Sequence, residues 1–334
     1  MRVFDLPPAL AVSVVRASVL AGVLASASFG CQSNPSTSST QPASTAKPTA
    51  RATPSAGRAN AAALVGDRPY RTRPAPTSAD AGAGHLPALV VALHGFGSNG
   101  AQLESGLGLD AIADAHDYAL AIPDGTPDSA GRRFWNATDS CCNFDDKKVD
   151  DVAYLGAVID DATQRLGTDP ARVYIVGHSN GGFMALRLAC DLADKITAVI
   201  SLAGAGYLDA SRCVPSRPVS ILQVHGDADT TIPIGGGTAQ HLPGAAPFAS
   251  ARDTIANWGK YDRCLGVLSP AGKVDLSLAL PGAETDTMRV SGCPSGLDVE
   301  LWTVHGGEHN VQLSARGGDA LGRFLDGAGV VVTE

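Results

Sequence analysis

Short apolar runs rich in β-branched residues alternate with longer stretches of helical periodicity along most of the chain. The runs Leu86 to Leu93 (LPALVVAL), Tyr118 to Ile122, Arg172 to Val176, Ala198 to Leu202, Ser220 to Val224 and Val299 to Val304 are bounded by turn-forming residues and predict strands. Their near-continuous hydrophobicity fits strands covered on both faces, as in a mostly parallel sheet. Helical patterns fall between and after them, from Asp150 to Leu166, Gly181 to Lys195, Ala249 to Tyr261 and Ala315 to Leu325, with Asp150 placed to cap the first. Strand and helix in repetition predict an α/β doubly wound fold, in which ligands bind at the carboxyl ends of the strands.

The beginning of the chain breaks this pattern. Arg2 and Arg16 precede the apolar run ASVLAGVLASASFG from Ala17 to Gly30, which is too short to span a bilayer and has the form of a secretory signal. Residues 1–30 therefore read as a signal peptide of lipoprotein type. Residues 31–61 are rich in Ser, Thr, Pro and Ala and hold too few aliphatic side chains to offset the entropy of ordering, so they read as a disordered tether. Residues 62–334 remain for a single domain with one core. Cys31, at the junction, resembles the acylated cysteine of bacterial lipoproteins, which would anchor the chain to a membrane. Gly30 fits the position before it, but Ser28 stands where leucine is usual, and Ala25-Ser26-Ala27 offers a rival cleavage site whose use would make the product simply secreted. Without Cys31 the chain keeps Cys141, Cys142, Cys190, Cys213, Cys264 and Cys293. An even number in an exported chain predicts up to three disulfides.

A net charge of -8 leaves no basic stripe to neutralise phosphates and excludes a nucleic-acid partner. No C-x-x-C motif occurs, and the pair His305 and His309 spans Gly306-Gly307, where a helix that would align the two rings is disfavoured. Neither a metal nor a cofactor is expected.

The chemistry concentrates at strand ends. The stretch VYIVGHSNGGFMALRLAC, Val173 to Cys190, places G-x-S-x-G between a strand and a helix with only Gly177 to Asn180 to make the turn. So tight a turn projects the Ser179 hydroxyl from the sheet edge as a nucleophile; the alternative is a serine that caps the helix. Serine needs a base, a group to orient that base, and donors for an oxyanion. The turn LHGFGSNG, from Leu93, supplies the backbone amide of Phe96, and the amide of Asn180 directly follows the nucleophile. HGDADTTIP, from His225, offers Asp227 and Asp229 as the acid. Of the histidines that follow, His241 has no strand before it and His305 sits at a strand end in a structural role, whereas His309 lies within the loop and is the base. The order Ser179, Asp229, His309 is that of the α/β-hydrolases. His94, His178 and Trp135 flank these positions and are candidates for substrate contact, although Trp135, with Phe134, equally fits local packing. Asp150 and Asp151 open a helix and suit its dipole.

LHGFGSNG, Trp135-Asn136 followed by Cys141-Cys142, VDDVAYL from Val149, the G-x-S-x-G stretch, HGDADTTIP and GGEHN together resemble the secreted polyhydroxybutyrate depolymerase and feruloyl esterase group of α/β-hydrolases, over about residues 66 to 326. The resemblance implies an α/β-hydrolase fold without a large cap. It also implies an exported serine esterase that forms an acyl-enzyme on hydroxyalkanoate oligomers or on feruloyl or acetyl esters. Within that likeness Asp229 holds the acid's place, ahead of Ile232-Pro233, and Asp227 is left to cap a turn. The segment after His309 is Asn310-Val311-Gln312, where the group usually carries a Thr-Trp-Pro-like sequence, and no polymer-binding module is apparent. Small or soluble esters are therefore the expected substrates. A serine peptidase of the same fold and a non-catalytic surface binding protein are the competing readings. Cys264 and Cys293 flank one excursion and are expected to pair, leaving Cys141 and Cys142 to reach Cys190 and Cys213 in an unspecified order.

Overall fold

The computed structural model describes residues 65–76, 86–239 and 245–327. The expected signal peptide and tether, Cys31 and His241 lie outside the described residues. The strands are β1 (Arg71–Arg73), β2 (Ala88–Leu93), β3 (Tyr118–Ile122), β4 (Thr126–Pro127), β5 (Arg133–Phe134), β6 (Val173–His178), β7 (Ala198–Leu202), β8 (Ser220–Gly226), β9 (Leu268–Val274), β10 (Thr285–Val290) and β11 (Val299–Val304). The helices are α1 (Gly100–Leu107), α2 (Leu109–His116), α3 (Asp151–Leu166), α4 (Asn180–Asp191), α5 (Ala251–Tyr261) and α6 (Ala315–Gly327).

Side chains of a strand alternate between its faces, and β2 shows what that does here. Leu89, Val91 and Leu93 enter one core with residues of α3, α4 and α5. Ala88, Val90 and Ala92 enter the other, with residues of α1, α2 and α6. Helices thus cover both faces of one sheet, ordered β1-β3-β2-β6-β7-β8-β11-β10-β9. The strands from β3 to β11 in that order run parallel, and β1, β10 and β9 join antiparallel to their neighbours. This is the mostly parallel, doubly wound sheet of an α/β-hydrolase fold. Among the described residues no helix is long and apolar enough to cross a membrane.

The six strands predicted from apolar runs are the six parallel ones, with ends shifted by two residues or fewer. The antiparallel additions were not foreseen because their faces are not apolar: β9 (LSPAGKV) is largely exposed and carries a proline and a glycine, as edge strands tolerate. Helices α1 and α2 have eight residues each and pack few side chains; α1 is fixed by Asn99, whose side chain accepts the Gln102 amide, and ends at Gly108 in the left-handed region (φ 62°). Asp150 caps α3 as predicted, accepting the Ala153 amide. The helix expected over Gly181–Lys195 begins at Asn180 and stops at Asp191.

The disulfide expectation needs one correction. Cys264 pairs with Cys293 as expected, but Cys190 pairs with Cys213 and the vicinal Cys141 and Cys142 bond to each other. The end of α4 lies beside the short turn that follows β7, with 5.2 Å between the Cα atoms of Cys190 and Cys213. Each therefore satisfies the other, and the neighbouring cysteines have no further partner to reach.

Candidate active site

Ser179 is the single residue between the last residue of β6, His178, and the first of α4, Asn180. Its backbone sits at φ 55°, ψ -120°, a region that side-chain sterics disfavour for any residue but glycine. The approach of helix to strand is so close that a Cβ on Gly177 would lie 2.1 Å from the Gly181 carbonyl oxygen, and one on Gly181 would lie 2.0 Å from that of Leu93. The glycines of the motif are therefore a steric requirement of the turn. The Ser179 amide donates to the Leu202 carbonyl at the end of β7. Its side chain makes no capping bond to the helix, so the capping alternative is not what the structure contains; Oγ instead lies 2.9 Å from His309 Nε2.

The other ring nitrogen of His309, Nδ1, lies 2.7 Å from Asp229 Oδ2. Asp229 is buried, and its Oδ1 accepts the amides of Thr231 and Ile232 at 2.8 and 2.9 Å. Burial pushes this carboxyl up, but hydrogen bonds from the His225 and His309 rings and the Ile232 amide outweigh it and hold the group well below the usual carboxylate range. An ionised carboxylate only accepts, so His309 Nδ1 carries the proton and Nε2 presents its lone pair to the Ser179 hydroxyl. That is the tautomer a general base needs.

A buried chain that sequence reasoning missed stands behind Asp229. Gln223 Nε2 donates to the Gly204 carbonyl and to His225 Nδ1, so His225 Nε2 carries a proton, which it gives to the Ile232 carbonyl at 2.7 Å while lying 3.5 Å from Asp229 Oδ2. The period-two pattern of β8 contained the signal: Gln223 and His225 are polar residues on one face of an otherwise apolar strand, both buried.

The expected substrate-contact residues divide. His178 lines the cavity beside Ser179, and its Nε2 donates to the His309 carbonyl at 3.0 Å. Burial lowers its pKa to about 4, so the ring is neutral and clamps the loop that carries His309. His94 and Trp135, in contrast, are fully buried and offer no surface to a substrate, which corrects the expectation for both. His94 Nδ1 donates to the Gly95 carbonyl, and Nε2 accepts the Gly125 amide. Trp135 Nε1 donates to the His94 carbonyl, while its backbone exchanges two hydrogen bonds with the Asn180 side chain. Together they tie the Gly95-Phe96 turn to the start of α4. Both polar atoms of the Asn180 side chain take part in this tie. Among the described residues, no group accepts the amide of Phe96 or that of Asn180.

Asp227 does not touch His309; its carboxylate faces His305 Nδ1 at 2.8 Å and the Gly306 amide at 2.7 Å. Asp151 is likewise structural, accepting the Asn136 amide and pairing with Arg68. Above Ser179 opens a cavity of about 340 Å³ whose walls include Phe96, Ile232, His178, Asn310 and the vicinal pair Cys141 and Cys142. Among the described residues, no group of three or more His, Cys, Asp or Glu side chains is arranged to hold a metal ion.

A family model described as Phospholipase/Carboxylesterase matches residues 80–242. A protein of Nocardia uniformis subsp. tsuyamanensis named as an esterase, NocK, is 32% identical over 250 residues, which cover 72% of this chain and 70% of that one. The chain belongs to the phospholipase/carboxylesterase family of α/β-hydrolases. Feruloyl esterase B of Piromyces equi is 29% identical over 71% of this chain and 42% of its own length. Two solved structures share the fold at a TM-score of 0.50: esterase PE8, 19% identical and covering 78% of this chain and 98% of its own, and the acetyl xylan esterase from Aspergillus awamori, 15% identical and covering 73% and 90%. As a member of the carboxylesterase family the chain is a hydrolase of carboxylic esters. The strand-end residues that face one another across its cavity lie at the expected edge of the sheet, the carboxyl ends of β2, β6, β8 and β11.

Proposed function

We propose that the chain is a serine ester hydrolase in which Ser179 attacks the ester carbonyl, His309 moves the proton, and Asp229 holds and balances the His309 ring. The observation that carries this reading is the unbroken relay from Ser179 Oγ to His309 Nε2 (2.9 Å) and from His309 Nδ1 to Asp229 Oδ2 (2.7 Å). The Ser179 hydroxyl gives its proton to Nε2 as Oγ bonds to the carbonyl carbon, and the oxyanion is received by the amides of Phe96 and Asn180. Protonated His309 then gives that proton to the departing alcohol. A water, deprotonated in turn by His309, releases the acid from the acyl-enzyme.

For substrate we propose small or oligomeric esters with an aromatic or short acyl group. The cavity wall is largely apolar, and the exposed Phe144 ring packs edge-on against Phe96 at 5.5 Å. Relatives named a feruloyl esterase and a bifunctional acetylxylan esterase/xylanase support putting feruloyl and acetyl esters first, with hydroxybutyrate oligomers beside them. We further propose export, supported by three disulfides among the described residues, with Cys31 as the acylated first residue of the mature chain.

The test is turnover of a soluble chromogenic short-chain ester, then of feruloyl, acetyl-xylan and hydroxybutyrate-oligomer substrates, by the wild type and by Ser179→Ala. The variant is expected to fold and to lose at least ~10⁴-fold in rate, and a fluorophosphonate is expected to label Ser179 in the wild type alone. Near-normal turnover by the variant would refute the assignment.

A further inference from the structure

The acid and the base of the relay sit on two different loops, one after β8 and one after β11, so their 2.7 Å hydrogen bond depends on how those loops are held together. Part of the fastening is backbone: the Asp227 amide donates to the Val304 carbonyl, and the Ala228 amide to that of Gly307. The rest is a side-chain bridge outside the relay. His305 Nδ1 lies 2.8 Å from Asp227 Oδ2, two residues before Asp229, and His305 Nε2 lies 2.9 Å from Asp286 Oδ2 on β10. The second oxygen of Asp227 accepts the Gly306 amide, and that of Asp286 pairs with Lys273 on β9.

Resting on the serine-hydrolase reading, we propose that His305, as an imidazolium donating from both nitrogens, is a positioning residue that pins the Asp229 loop to the His309 loop and to β10, and that its deprotonation loosens the relay. The protonation follows from geometry: each ring nitrogen meets a carboxylate oxygen, carboxylates only accept, and only the imidazolium has two N–H groups. The charged groups placed against the ring are Asp227 and Asp286, with Lys273 acting on the far side of Asp286. Glu284 meets His305 through its backbone carbonyl, its carboxylate being turned to the amides of Leu276 and Ser277. Consistent with this, the hydrogen bonds to Asp286 and then to Asp227 raise the His305 pKa above 6.5, and the His305 contact lowers that of Asp227. A group whose folded pKa is raised contributes fully at low pH and loses its contribution as pH climbs through the raised value. The bridge therefore opens on the alkaline side.

The consequence is a second feature in the rate profile. Neutral His309 is needed for turnover and gives a rising acid limb; loss of the His305 bridge adds an alkaline fall to a lower plateau, partial because the backbone fastenings remain. The ring is half-exposed, so the fall is expected to be about two- to fivefold, the size of a surface ion pair's effect.

The experiment measures kcat and KM for a soluble chromogenic ester from pH 5 to 10 with wild type, His305→Gln and Asp286→Asn, and follows the His305 ring by NMR in the same buffers. In the wild type, the alkaline step should coincide with the His305 titration, above 6.5, and appear in kcat more than in KM. His305→Gln should sit at the lower plateau at every pH above the acid limb, and Asp286→Asn should move the step to lower pH. A merely structural residue would lower stability without moving any of these midpoints. A wild type that is active and labelled at Ser179 but has no alkaline step, or a step unmoved in Asp286→Asn, overturns the bridge and leaves the triad standing. A His305 ring that titrates at or below 6.5 overturns it whatever the turnover.

Discussion

Asp262 offers a direct test of the electrostatics of the interior. It caps the C-terminal end of α5, where the helix dipole disfavours negative charge, and it has no exposed surface. Oδ1 accepts the Val219 amide at 3.1 Å and so docks the helix to the start of β8; Oδ2 has no hydrogen-bond partner among the described residues. Burial, opposed only by the Val219 amide, pushes this carboxyl up from 3.8 to about 7. Between those values the unfolded chain has lost the proton and the folded chain keeps it, so stability falls as pH rises, by 1.36 kcal/mol per pH unit. The contribution is complete below the ordinary carboxylate value and is gone above about 7, a loss of about 4 kcal/mol. Asp262→Asn keeps the shape and the acceptor for Val219 but cannot ionise. Urea unfolding of both proteins from pH 4 to pH 8.5, with disulfides intact, should give nearly equal stabilities at the acid end and a variant more stable by up to about 4 kcal/mol at the alkaline end. A difference that stays flat across this range would show that the carboxyl is ionised at modest cost, refuting the reasoning.

Other outcomes follow from the same geometry. Asp229→Asn is expected to lower kcat by about 10⁴-fold, because the amide no longer fixes the His309 tautomer, whereas Asp227→Asn should cost only about fivefold; steady-state kinetics that rank them the other way would make Asp227 the acid. Gly181→Ala should abolish activity and destabilise the fold, since its Cβ would fall 2.0 Å from the Leu93 carbonyl oxygen, as thermal unfolding beside ester turnover would reveal. Reduction should lower stability by about 3 kcal/mol for each of the disulfides spanning 23 and 29 residues, measured by denaturant unfolding with and without reductant. A mass for the mature protein that matches a free chain cleaved after Ala27, without acyl groups, would rule out the anchor at Cys31.

What the sequence determined by itself is whatever depends on neighbours along the chain. The six parallel strands were legible because strands buried on both faces must be apolar throughout, and α3 because Asp150 stands where a cap must. Ser179 was legible because a turn so tight between strand and helix demands glycine at two fixed positions. Asp229 and His309 could be proposed because each follows a readable strand. Tertiary structure decided what depends on atoms far apart in sequence. The edge strand β9 and its neighbour β10 lack an apolar signature because they are partly open to solvent. Which cysteines pair depended on α4 ending beside the turn after β7. Trp135 and His94 look like site residues in the sequence, yet they lie under the site and brace it through hydrogen bonds to Asn180 and Gly95. His305 reads as an ordinary residue at a strand end. It becomes a bridge because Asp227 and Asp286, 78 and 19 residues away, are brought to its two nitrogens by neighbouring strands whose hydrogen-bonded register no local pattern records.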